Sequence, residues 1–232
     1  VTIMITQRLH FLKDNLIMRF SQDRLHIVAT IQSAAKIYKN ELVGRKFLYV
    51  FDGRFIEVIF KAQNFKHLTG VISPLPASEF FRKAIRNQLS VNQISFSSDH
   101  PYELCCKKIK HICDIATLAG SECFMLEKIT TKSRSYKFGT TDLRFSICFD
   151  QPRNEQWDIL NETFLAESLR DEDCFSKSES AYSVTCILSK PNDQKKYNNL
   201  LFCEPSCSIC AIPEAVRELM SDKLLNEVYG LE

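Results

Sequence analysis

The chain reads as an α+β domain in which helices flank an antiparallel sheet. Three observations point to that class. Apolar residues recur at helical spacing in 24–42 and again in 105–116. Their period changes to two between 122 and 203. Asp52-Gly53, the strongest short hairpin signal in the chain, separates two strand-like runs near the start.

Each element follows from its residues. Arg24–Asn40 sets Ile27, Ile31, Ala34, Ala35 and Tyr38 on one stripe, with Leu42 next, Asp23 as a cap and Gly44 as the stop. Lys46–Phe51 and Arg54–Lys61 form the hairpin. Pro74 and Pro76 break the chain before Ser78, which is placed to cap a short helix over Glu79–Asn87. Ser90–Ser98 is polar and reads as loop. Pro101–Ala119 aligns Cys105, Ile109, Ile112 and Ala116 on a second long helix that stops at Gly120. Glu122–Ile129 is a strand followed by a basic turn over Thr130–Ser135. Leu143, Phe145, Ile147 and Phe149 alternate with Arg144, Ser146 and Cys148, the mark of a half-buried strand. Asp150–Asn161 is acidic loop, Tyr182–Ser189 and Leu200–Cys203 form a hairpin across Pro191-Asn192-Asp193, and Pro213–Tyr229 is an amphipathic closing helix. Residues 1–23 are read as an N-terminal extension, 24–205 as the main domain, and 206–232 as a closing helix packed on it.

Composition narrows the function. With 45% apolar and 25% charged residues in 232, the chain is globular and not disordered. Seventeen Phe against one Trp predict a Phe-rich core. No apolar run approaches the roughly 18–20 residues of a membrane span, so no membrane partner is expected. Residues 1–138 hold 21 basic and 11 acidic side chains, and the remainder hold 9 and 17. A basic front half suits an anionic partner such as nucleic acid, although two solvated faces of one domain would look the same. The ten cysteines all lie beyond residue 104 in a chain too large for a disulfide-stapled module. Cys105, Cys113, Cys148 and Cys186 fall at apolar positions, as reduced core thiols do. With no secretory leader pattern at the start, the expected location is the cytoplasm. Cys203, Cys207 and Cys210, with Cys174 or Cys186, offer one CxxC pair and an offset cysteine. That is weaker than two clean pairs, so neither a metal nor a cofactor is expected.

The chemistry is concentrated in Phe60–Val71, where Asn64-Phe65-Lys66-His67-Leu68-Thr69-Gly70-Val71 leaves a strand. His67 titrates near neutrality and can carry a proton in phosphoryl transfer. Thr69 offers a hydroxyl to phosphate, and Gly70 permits a turn whose backbone N–H groups approach an anion. A turn histidine holding a backbone carbonyl fits the same pattern. His10, His26, His100 and His111 lack such context and are read as surface or packing residues. Ser168, Lys190, Lys61, Lys66, Arg144 and Tyr197 complete the candidate set, each with an ordinary structural role as its alternative.

The string NFKHLTGV after a strand ending in Phe60-Lys61 resembles the signature of the phage-barnase-EndoU-colicin-RelE-like nuclease family, in its fourth type. Ala35-Lys36-Ile37-Tyr38 and Leu48-Tyr49-Val50 resemble its lead-in, and Phe164–Asp173 its second block. Tyr182–Lys190 with Lys195-Lys196-Tyr197 resembles its closing hairpin, so the similarity runs from about Arg24 to Cys203. The resemblance implies a barnase/EndoU/RelE-like fold and metal-independent endoribonuclease chemistry in a bacterial or phage toxin or effector. Under it, His67, Thr69, Ser168 and Lys190 are the expected catalytic set, and Lys61, Lys66, Gly70, Arg144 and Tyr197 the substrate-binding one. The implied partners are RNA and a cognate inhibitor or partner protein. The alternative is a catalytically inactive RNA- or protein-binding module of the same fold.

Overall fold

The computed structural model describes residues 2–118, 121–132, 134–153, 159, 162–205 and 212–229. Its first element is a single helix, α1 (Thr2–Glu41), that runs through the expected N-terminal extension. The chain has neither Gly nor Pro before Gly44, so nothing in 2–43 breaks a helix, and Asp23 sits within it rather than at its cap. Strands β1 (Arg45–Phe51) and β2 (Arg54–Ile59) follow as expected. Asp52 and Gly53 both take positive φ (48° and 66°), the geometry that matches a two-residue hairpin to strand twist.

Three short helical pieces come next: α2 (Asn64–Thr69), α3 (Ala77–Ile85), and a 3-10 turn at Val91–Gln93. Pro76, not Ser78, occupies the N-cap of α3, so the expected Ser78 cap is not used. The second long helix, α4 (Tyr102–Leu118), buries Cys105, Ile109 and Ile112 as predicted; its expected stop, Gly120, lies outside the described residues. The remaining strands are β3 (Phe124–Thr130), β4 (Ser135–Thr141), β5 (Ser146–Asp150), β6 (Phe164–Arg170), β7 (Ser180–Pro191) and β8 (Asn199–Cys203).

The sheet is not the simple antiparallel layer expected. Its order β1-β2-β6-β5-β4-β3-β7 closes back on β1, making a seven-stranded barrel, and β8 lies outside on β7. One pairing is parallel, β2 with β6 through Val58↔Phe164 and Ile59↔Leu165. The 12-residue β7 makes closure possible. Its first residues pair with β3, and Val184–Pro191 pair with β1. Closure removes the exposed edges that an open sheet would have to protect.

Phe fills the centre, as composition predicts. Tyr49 faces Phe149 at 6.2 Å across non-adjacent strands, and Phe51–Phe138 and Phe138–Phe164 contacts continue the packing. The outward faces are covered too, which explains a second departure from expectation. Leu48 and Val50 on β1 are sealed by Tyr197, Val216, Met220 and Leu224. The last three come from the chain end, which forms two helices, α5 (Glu214–Leu219) and α6 (Asp222–Tyr229), rather than one. The break falls at Met220, whose extended backbone lets Tyr197 donate to the Leu219 carbonyl and accept from the Ser221 N–H. β5 is likewise buried on both faces, not half-buried. Cys148 is covered by Cys174, and Ser146 donates to the Glu172 carbonyl. Leu143, expected inside, is 60% exposed at φ 75° in the turn before β5.

Candidate active site

Six residues are too few for a helix to stand alone, so α2 owes its place to packing. Phe65 and Leu68 are fully buried, with the Phe65 ring 5.1–5.3 Å from Phe81 and Tyr38. That inward face turns His67 outward. Gly70 ends the helix at φ 76° and returns its N–H to the His67 carbonyl. A side chain at Gly70 would put Cβ 3.0 Å from the His100 ring and 3.3 Å from Lys108 Nζ. Gly70 therefore supplies both the left-handed turn and the space into which His100 and Lys108 close.

His67, His100, Gly70, Lys66, Gln63 and Ile72 line one cleft of about 410 Å³. His100 stands at the end of the 90–100 loop, its N–H held by Ser97, immediately before α4. Lys108 sits on the apolar stripe of α4 and is only 5% exposed, without a carboxylate or carbonyl partner among the described residues. Burial, and then the neighbouring Arg170 charge, pull its amine down to about 8. The His67 ring opens to the cleft but is crowded on its other sides, and that desolvation lowers its pKa, followed by repulsion from Lys108. His100 is lowered for the same reasons in the same order. Glu167 opposes the effect on His67. It accepts from Asn64 Nδ2 at 3.3 Å and lies 3.6 Å from Arg134. At neutral pH the cleft thus combines neutral imidazoles with the nearby Lys108 charge behind Gly70, an arrangement suited to an anion and to moving protons beside it.

The expected site residues divide by location. His67, Lys66 and Gly70 share the cleft. Thr69 is fully buried, and its hydroxyl donates to the Lys66 carbonyl and accepts from the Val71 N–H, closing the helix end. Lys66 donates to the Ser73 and Leu75 carbonyls at 2.7 Å each, which fixes the following loop. Lys61 is exposed just after β2. Ser168 is buried on β6 between Glu167 and Arg170.

Three of the set are not brought to His67. Lys190 lines a separate pocket, donates to the Lys195 carbonyl at 2.7 Å and lies over the Tyr197 ring. Tyr197 is fully buried, with its hydroxyl donating to Glu57 at 2.6 Å. Arg144 is held by Asp142 and Asp114. In their place the fold supplies His100, Lys108 and Arg170. Only Lys108 left a readable trace, as a charged residue on an otherwise apolar helical stripe.

Among the described residues no group of three His, Cys, Asp or Glu side chains is arranged to hold a metal ion. The eight described cysteines are free thiols; Cys207 and Cys210 lie outside the described residues. No described helix is long and apolar enough to cross a membrane.

No curated protein and no solved structure matches the chain. Residues 30–202 match the family described as phage-Barnase-EndoU-ColicinE5/D-RelE like nuclease4, which covers α1 from Thr30 to nearly the end of β8. With three-quarters of its length inside that match and a histidine cleft built on the NFKHLTGV segment, the chain belongs to this nuclease-like family.

Proposed function

We propose that the chain is a metal-independent endoribonuclease domain of a bacterial or phage toxin or effector. The observation that carries this reading is the cleft lined by His67 and His100, with the Lys108 amine packed against Gly70 in its wall. In the proposed reaction, neutral His67 takes the proton of a ribose 2′-OH, whose oxygen attacks the adjacent phosphorus. The bond to the leaving 5′ oxygen breaks as Lys108 returns a proton to it, giving a 2′,3′-cyclic phosphate and a free 5′-OH. Arg170 and the Lys108 charge stabilise the phosphorane, and His100 donates a hydrogen bond to it.

The test is cleavage of single-stranded RNA. His67→Ala is expected to lower the rate roughly 10²–10⁴-fold with the fold intact, and parent activity to survive EDTA. Activity lost to EDTA and restored by Mg²⁺ would overturn the mechanism. His67→Ala cleaving as well as the parent would remove the assigned base.

A further inference from the structure

A second concavity, lined by the β3–β4 hairpin, has no role in the chemistry above. Its volume is about 930 Å³, and Lys128, Arg134, Tyr136, Lys137, Asp150 and Arg153 contribute to its lining. That is the upper end of the range for a small-molecule pocket, with a charge pattern unlike one. Four cations face Asp150 and Glu179. Lys128 meets Glu179 at 2.7 Å with both side chains 64% exposed, and Arg134 meets Asp150 at 2.7 Å. The Lys128–Glu179 pair is open to solvent and therefore weak, so a phosphate can take the place of Glu179 there. Asp150, 13% exposed, is the more firmly held carboxylate. Lys137 is exposed and lies over the Phe138 and Phe164 rings, at 6.0 and 5.6 Å.

The groove and the cleft are linked through Arg134 and Arg170. Arg134 lines the groove and also repels the His67 proton. Its guanidinium reaches Glu167, which holds Asn64, three residues before His67 on α2. Arg170, whose charge acts on both histidines and on Lys108, donates to Thr131 in the turn between β3 and β4. The β3–β4 hairpin that forms the groove is therefore braced against the catalytic cations.

We infer that this groove holds the RNA strand flanking the scissile phosphate, with Lys137, Lys128 and Arg134 each taking a backbone phosphate. The inference rests on the ribonuclease reading and extends it to the path of the substrate. Tyr136, at 5% exposure, offers no face for base stacking, so the groove follows the backbone and tolerates any sequence.

The experiment measures binding of a 12-nucleotide single-stranded RNA by fluorescence anisotropy across a salt series, in a His67→Ala background that prevents cleavage. Adding Lys128→Ala and Lys137→Ala is expected to weaken binding roughly tenfold or more. The slope of log affinity against log salt should become shallower by about 1.4, two phosphate contacts at about 0.7 each. Lys36→Ala with Lys39→Ala, exposed on α1 away from the groove, should bind as the background does. Equal affinity after the Lys128 and Lys137 changes would overturn the groove, as would an equal loss from the α1 pair. Groove-dependent binding by a parent that cleaves no RNA would support the groove and count against the catalytic reading alone.

Discussion

Lys108 and Lys190 are both buried lysines, 5% and 7% exposed, yet they belong to opposite kinds of region. Lys190 has an acceptor and an aromatic face in place. Its amine donates to the Lys195 carbonyl and lies 4.6 Å from the Tyr197 ring centre, while Tyr197 and Lys46 share Glu57. Lys108 instead has His100, Gly70, the Cys105 and Cys148 thiols and the repelling Arg170 about it. Burial lowers both amines, so desolvation alone does not separate them. The difference lies in what the surroundings supply. A buried cation with its acceptors in place stabilises a fold, whereas one left without them is a cost that a bound anion can relieve.

The largest expected contrast is catalytic. Lys108→Met should lower RNA cleavage by roughly 10²–10³-fold, as loss of a preorganised charge does elsewhere. Lys190→Met should cleave within a few-fold of the parent once folding is matched. Equal losses in the two variants would erase the distinction between the regions.

Stability should move the other way. The Lys108 amine holds its proton less tightly folded than unfolded, so its charge destabilises the native state at every pH below about 8. The penalty fades as pH rises from about 8 to about 10.4. Lys108→Met should therefore raise unfolding free energy by up to about 3 kcal/mol at pH 7, with the gain vanishing near pH 10.5. Lys190→Met should instead lose about 1–3 kcal/mol, because the Lys195 carbonyl loses its donor. Urea unfolding of the two variants at pH 7 and pH 10 checks both signs.

How much of this distinction is legible in the sequence depends on separation along the chain. The hairpin at Asp52-Gly53, the stripe on α4 and the NFKHLTGV segment are local patterns, and all three are visible in the fold. That segment, however, is a short helix ending at Gly70, and its Thr69 hydroxyl is bound to the backbone. Barrel closure is not local: β7 must meet both β3 and β1, and β2 must find β6 more than a hundred residues later. No residue on those strands announces its partner. The alternation of β5 suggests a half-buried strand, but the cover on its outer face comes from Glu172 and Cys174 in another segment. The uninterrupted α1 is legible in the absence of Gly and Pro, a signal that the attractive cap at Asp23 obscures. His67 stands out because its chemistry and its turn are adjacent. His100 and Lys108 are 33 and 41 residues away along the chain and join it only through the packing of α4 against α2.

The smallest effect belongs to Thr69, whose hydroxyl the sequence offers to phosphate and the structure gives to the backbone. Thr69→Ala should cost about 1 kcal/mol of stability and change cleavage only a few-fold. A loss comparable with His67→Ala would return the hydroxyl to the chemistry.

The central claim is that Lys108 is a buried cation waiting for phosphate, and direct titration of its amine by NMR tests it whatever the RNA target. The free protein should show a Lys108 midpoint near 8, moving upward when a non-cleavable dinucleotide is bound, while Lys190 does not respond. A Lys108 midpoint near the ordinary value of about 10.4 that ignores the dinucleotide would contradict the account.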